Sequence, residues 1–247
     1  PNNSLVIFSA HGVSSEVEEE TKSRNLNFFD ATCPLVTKVH MEVRKHAKAE
    51  RDIILIGHEG HPEVEGTMGR HINSEHSSIY LVQDEEDANS IDVNKNDQLA
   101  VVTQTTLSVD ETKSIISILK NRFPNITIPK KDDICYATQN RQDAVKQLAL
   151  ESDFMIVVGS KNSSNSNRLK ELGEKCGCKS VLIDEFADLD LGNISNYSRI
   201  SITAGASAPE SRVMEIAKSL ENHIGAKIIE HGEDNENIYF KLPPGLR

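Results

Sequence analysis

The residues best suited to chemistry lie in Gly57-His58-Glu59-Gly60-His61-Pro62-Glu63-Val64-Glu65-Gly66, directly after the apolar run Asp52–Ile56. A short β-branched run bounded by turn residues reads as a fully buried strand of a parallel sheet. Ligands of open α/β sheets bind beyond the carboxyl ends of the strands, and Pro62 suits the first turn of a helix. His61 and Glu63 are therefore expected at a helix N-terminus facing such a crevice. An imidazole beside a carboxylate there suggests proton chemistry. The alternative is a solvated loop whose Glu63 and Glu65 merely complement the helix dipole.

A second recurring feature is a hydroxyl- or amide-rich loop between strand and helix, found at 104–108, 160–167 and 204–209. Backbone N–H groups, Ser and Thr hydroxyls and Asn amides at positive helix ends can hold a phosphate without a lysine-rich cleft. One such loop reads equally as helix capping. Three of them, with His11 and His61 each just past a strand, favour an anion site. Neither a GxxxxGK[ST] nor a GxGxxG pattern occurs, so a nucleotide is not indicated. The four cysteines, Cys33, Cys135, Cys176 and Cys178, form no CxxC pair and no disulfide framework. Cys176 and Cys178 end a helical pattern and read as ordinary helix-end residues. Cys33 and Cys135 each follow a strand-like or turn segment and precede a helix, and either alone is by default a small buried hydrophobe.

The elements that must position these residues alternate strand with helix. A strand over 5–10 ends at His11-Gly12, Ser15 with Glu18 resembles a capping box for a charged helix to about Arg24, and a strand over 26–30 leads to Cys33. After Pro34, Leu35, Val36, Val39 and Val43 mark one face of a helix to about Ala49. Strands over 78–82 and 99–103 follow, then a helix from the capping pair Ser108 and Glu111 with Ile115, Ile116 and Leu119 on one face. The pattern repeats with a helix over 139–150, strands over 154–158, 180–183 and 200–203, and a helix over 209–220. The fold class is α/β.

Across 247 residues, hydrophobic content of 37% and charged content of 26% are ordinary for a globular chain with two lobes. No apolar run approaches a membrane span, and a net charge of -11 argues against broad contact with a nucleic-acid backbone. Pro1 stands where a start methionine is expected and a strand begins almost at once, which reads as a fragment.

Asp30-Ala31-Thr32-Cys33-Pro34, Gly60-His61-Pro62-Glu63-Val64-Glu65-Gly66, Gln104-Thr105-Thr106-Leu107-Ser108, Ile134-Cys135-Tyr136-Ala137-Thr138, the stretch 160–168 and the stretch 203–209 resemble the 4-hydroxy-3-methylbut-2-enyl diphosphate reductase family, in order along essentially the whole chain. The resemblance implies a pseudo-threefold trefoil of small parallel-sheet α/β lobes around a central [4Fe–4S] cluster. It divides the chain into 1–33, a remnant of a first lobe largely missing here, 34–133 and 134–220 as second and third lobes, and a tail over 221–247 that packs on the first. It implies Cys33 and Cys135 as cluster ligands, with a third cysteine outside this chain. Glu63 is implied as the proton source, with Thr105 beside the substrate. His11, His61, Thr106, Ser163, Ser164, Asn165 and Ser207 are expected to hold the diphosphate, with affinity falling as the histidines lose their protons.

The reaction so implied is reductive dehydroxylation of (E)-4-hydroxy-3-methylbut-2-enyl diphosphate to isopentenyl and dimethylallyl diphosphates, with electrons from a ferredoxin or flavodoxin, in a bacterial cytoplasm or plastid stroma. Competing readings are a non-catalytic diphosphate-binding remnant and a zinc-dependent hydrolase using His58, His61 and Glu63, although His-x-x-His-x-Glu lacks a familiar zinc spacing.

Overall fold

The computed structural model describes residues 4–71, 76–94, 97–129, 133–232 and 238–242. The chain divides into two compact units, one of Pro1–Thr105, Val109–Cys135 and Asn237–Arg247, the other of Thr106–Ser108 and Tyr136–Glu236. Among the described residues the strands form three small sheets, all parallel, in agreement with the α/β class.

In the first unit, β1 (Leu5–Phe8) pairs in parallel with β2 (Asn27–Asp30), and α1 (Ser15–Ser23) makes the crossover. The cap of α1 is Ser14 and not Ser15: the Ser14 hydroxyl accepts from Val17 N–H, while Ser15 N–H donates to the Gly69 carbonyl at 3.0 Å. Gly69 permits that approach, since a Cβ there would lie 2.2 Å from Ser14 Cβ. Glu18, freed from the expected capping box, instead accepts from Arg70 at 2.6 Å and Lys22 at 2.7 Å, and these bonds hold its carboxyl down at about 2.

The second sheet has β3 (Asp52–Ile56) between β4 (Ile79–Val82) and β5 (Leu99–Thr103). Every residue of β3 and β5 is buried, as their continuous apolar runs require. The helix α2 (Pro34–Lys48) lays Val39, Val43 and Ala47 on Ile53, Leu55 and Val102, a helical stripe closing one face. The short helices α3 (Pro62–Met68) and α4 (Glu85–Ser90) and the longer α5 (Val109–Arg122) complete this part. Because β3 is followed by a neighbour on one side and then on the other, the strand order reverses beside it. The loops after β3 and β5 therefore leave side by side from the carboxyl end of the sheet, at the switch point where ligands of such sheets bind.

The second unit repeats this plan: α6 (Tyr136–Glu151), β6 (Phe154–Val158), α7 (Ser164–Lys175), β7 (Lys179–Ile183), a 3-10 turn (Phe186–Asp188), α8 (Leu191–Ile194), β8 (Ile200–Ala204) and α9 (Glu210–Ile224). β6 is central. Phe154, Ile156 and Val158 face Ile216 and Leu220 on one side, while Met155 and Val157 face Val145 and Leu169 on the other. The tail expected over 221–247 begins inside α9 and lies partly outside the described residues.

Candidate active site

In the first unit, the loop after β3 is fastened before it reaches the helix. Gln104, itself buried, takes His58 N–H on its side-chain oxygen at 3.1 Å and donates its own N–H to the Ile56 carbonyl at 2.8 Å. His61 then caps α3, with Pro62 in the first turn: its Nδ1 accepts from Glu63 N–H at 3.1 Å. A ring nitrogen that accepts carries no proton, so the imidazole is neutral with its hydrogen on Nε2. Burial, with His11 and His58 nearby, brings this histidine down to about 4. Near neutrality, with no anion beside it, this ring offers a neutral N–H donor. His11, exposed after β1, meets it edge-on with ring centroids 5.4 Å apart.

Glu63 points inward and is 1% exposed. Its two oxygens accept from Thr105 N–H at 2.6 Å and from the Thr105 hydroxyl at 3.0 Å. Those bonds favour the carboxylate, but burial outweighs them, and with Asp133 nearby the carboxyl is pushed up from 4.5 to about 7. The group therefore carries a proton over part of the neutral range, the requirement for a general acid. Thr105 is occupied in holding it.

Cys33 is the cap position of α2, its side chain making no capping bond and its N–H donating to the Ala10 carbonyl at 3.0 Å. Cys135 N–H donates to the Thr105 carbonyl at 2.9 Å. Both thiols are free and half-buried. Asp133, which sequence reasoning passed over although it stands two residues before Cys135, is wholly buried. It accepts from Lys38 Nζ at 3.0 Å and from Thr103 N–H at 3.2 Å. Burial raises its carboxyl, and the Lys38 ammonium pulls the other way.

In the second unit, Ser163 caps α7 by accepting from Ser166 N–H at 3.3 Å, so Ser164 and Asn165 belong to the helix and not to a loop. The Thr106 hydroxyl donates to Ser164 Oγ at 3.3 Å. Asn165 is 5% exposed, and both its amide atoms are buried without a hydrogen-bond partner among the described residues. Such an amide costs stability unless a ligand meets it. Ser166 is wedged between the strand ends: a Cβ at Gly159 or Gly205 would lie 2.3 or 2.0 Å from its Oγ. Ser207 is exposed in the turn after β8. Cys176 caps the C-terminus of α7 and Cys178 is buried, its thiol pushed up by burial.

The zinc arrangement does not assemble. Among the described residues no group of three or more His, Cys, Asp and Glu gathers to hold a metal ion. His61 Nδ1 is turned to its own helix, and both Glu63 oxygens face Thr105. Nor is any helix among the described residues long and apolar enough to cross a membrane.

The family model described as LytB protein matches residues 2–221. A 4-hydroxy-3-methylbut-2-enyl diphosphate reductase of Saccharophagus degradans is 56% identical over 247 residues, covering 100% of this chain and 79% of the relative. One of Pseudomonas putida is 57% identical over 249 residues, covering 100% and 78%. Among solved structures, the E-1-hydroxy-2-methyl-but-2-enyl-4-diphosphate reductase from Plasmodium falciparum is similar with a TM-score of 0.92 at 37% identity, over 99% of this chain and 76% of that one. A structure of (E)-4-hydroxy-3-methyl-but-2-enyl diphosphate reductase, described as the terminal enzyme of the non-mevalonate pathway, gives 0.58 at 30% identity, over 88% and 76%.

Proposed function

The chain belongs to the LytB protein family, and on that premise we propose that it reduces (E)-4-hydroxy-3-methylbut-2-enyl diphosphate to isopentenyl and dimethylallyl diphosphates, the last step of the non-mevalonate pathway. Two electrons and two protons enter, the C–O bond breaks, and water leaves. The observation that carries this reading beyond family membership is Glu63, a buried acid that holds its proton up to about pH 7.

Glu63 is the group assigned to protonate the departing hydroxyl oxygen. Thr105 positions it with two hydrogen bonds, and burial both raises its proton affinity and keeps bulk water from competing. Cys33 and Cys135 are assigned to an iron–sulfur group. They fit it, being free, half-buried thiols at loop-to-helix junctions of one unit, and thiolate is the ligand such groups take. They make two of the three ligands that a [4Fe–4S] cluster with one open iron needs. When bound, that group supplies the electrons and a Lewis acid for the hydroxyl oxygen, chemistry that no side chain offers.

Diphosphate binding is assigned to His11, His61, Thr106, Ser163, Ser164, Asn165 and Ser207, whose ring, hydroxyl and amide groups can donate to phosphate oxygens. The unpartnered Asn165 amide at the start of a 12-residue helix supports this assignment. Division into lobes at 1–33, 34–133 and 134–220 is supported by the three separate parallel sheets, whose strands fall within those ranges. A ferredoxin or flavodoxin donor and a cytoplasmic setting complete the reading.

The test is turnover. Protein isolated anaerobically is expected to be brown and, given a chemical reductant and the substrate, to release both five-carbon diphosphates. Colourless protein without turnover overturns the proposal.

A further inference from the structure

Asp133 has no place in the chemistry above, yet its carboxylate is wholly removed from water and bonded through both oxygens. Its partners are informative. Lys38 lies on α2 five residues after Cys33, Thr103 ends β5 two residues before Thr105, and Asp133 itself precedes Cys135 by two residues. Lys38 and Asp133 are 95 residues apart in sequence, so no local preference brings them together. A buried ion pair is a poor way to gain stability, because desolvation offsets much of the attraction; what it supplies is register, since each charge is satisfied in one geometry only. The same segments are pinned by Cys135 N–H on the Thr105 carbonyl and by Thr105 on Glu63.

We propose that Asp133 is a positioning residue: bridging Lys38 and Thr103, it holds the segments carrying Cys33 and Cys135 in one frame, together with the strand end that orients Glu63. The proposal rests on the assignment of both cysteines as ligands of the iron–sulfur group. Groups that orient metal ligands without touching the metal commonly matter about 10–100-fold to metal retention.

The experiment compares the intact, anaerobically isolated protein with Asp133→Asn, Lys38→Met, Lys38→Arg, Cys33→Ser and Cys135→Ser. The readouts are iron and acid-labile sulfide content, the rate of iron loss to a chelator, the electron paramagnetic resonance spectrum of the reduced protein, and thermal unfolding. Asp133→Asn, which keeps shape and the Thr103 contact, is expected to speed iron loss about 10-fold or more and to shift the spectrum. Lys38→Met, at a side chain 40% exposed, is expected to do the same, and Lys38→Arg to restore the parental spectrum. Parental iron loss and spectrum in both Asp133→Asn and Lys38→Met, with iron lost from the cysteine variants, overturn the brace alone. So does a loss of thermal stability with the spectrum unchanged. Iron retained by Cys33→Ser and Cys135→Ser overturns the ligand assignment and the brace with it.

Discussion

Replacing Glu63 with Gln separates the proton from the shape of the site. Gln keeps an oxygen for Thr105 N–H and an amide that can donate to the Thr105 hydroxyl, so the two contacts at 2.6 and 3.0 Å have counterparts. What disappears is a buried acid whose carboxyl is raised from 4.5 to about 7. The native state holds this proton more tightly than the unfolded chain does, so the parent is stable with respect to this group below pH 4.5. It loses stability as pH rises from 4.5 through 7 and levels off above that. At about 1.36 kcal/mol per pH unit of displacement, the loss is about 3 kcal/mol. Urea unfolding of parent and Glu63→Gln between pH 4 and 9 is expected to show the variant gaining on the parent by that amount, nearly all of it before pH 8. Turnover at neutral pH is expected to fall about 10²–10⁴-fold, with iron content unchanged. Parallel stability curves refute the raised proton affinity of Glu63, and parental turnover refutes its role as the acid.

Asn165→Leu removes a buried amide with no partner, so in the ligand-free protein calorimetry is expected to show a stability gain of about 1–3 kcal/mol. Titration with the substrate is expected to show affinity at least about 10-fold weaker, each lost bond to a charged group being worth about 1.5–3 kcal/mol. His61→Ala strips the cap from α3 and is expected to cost about 1 kcal/mol in urea unfolding, largely recovered by His61→Asn. Because the folded protein holds His61 down at about 4, the stability that the neutral ring confers is full above pH 6.5 and is lost as pH falls through 4, a fall absent in His61→Asn. Gly205→Ala drives a methyl group to 2.0 Å from Ser166 Oγ and is expected to cost about 1–3 kcal/mol, most of which Ser166→Ala in the same chain should recover.

The sequence by itself determined the buried strands and the place of the chemistry. Runs such as Asp52–Ile56, Leu99–Thr103 and Phe154–Val158 are apolar at nearly every position, and only a strand covered on both faces buries all of them. Pro62 marked the start of α3, which put His61 and Glu63 at its head. These signals are local, carried by neighbours within a turn or a pleat. The start of α1 was not legible in that way, because the Gly69 carbonyl, far along the chain, takes Ser15 N–H and makes Ser14 the cap. Nor was the boundary at Ser163, which draws Ser164 and Asn165 into a helix and leaves an amide buried without a partner.

The acid–base character of the site was decided by tertiary structure alone. Glu63 and Thr105 are 42 residues apart and meet because β5 lies directly against β3, an order that hydrophobic pattern does not encode. Whether a carboxyl titrates near 4.5 or near 7 depends on how much water the packed sheet and helices leave around it, and that exists only once the chain has folded.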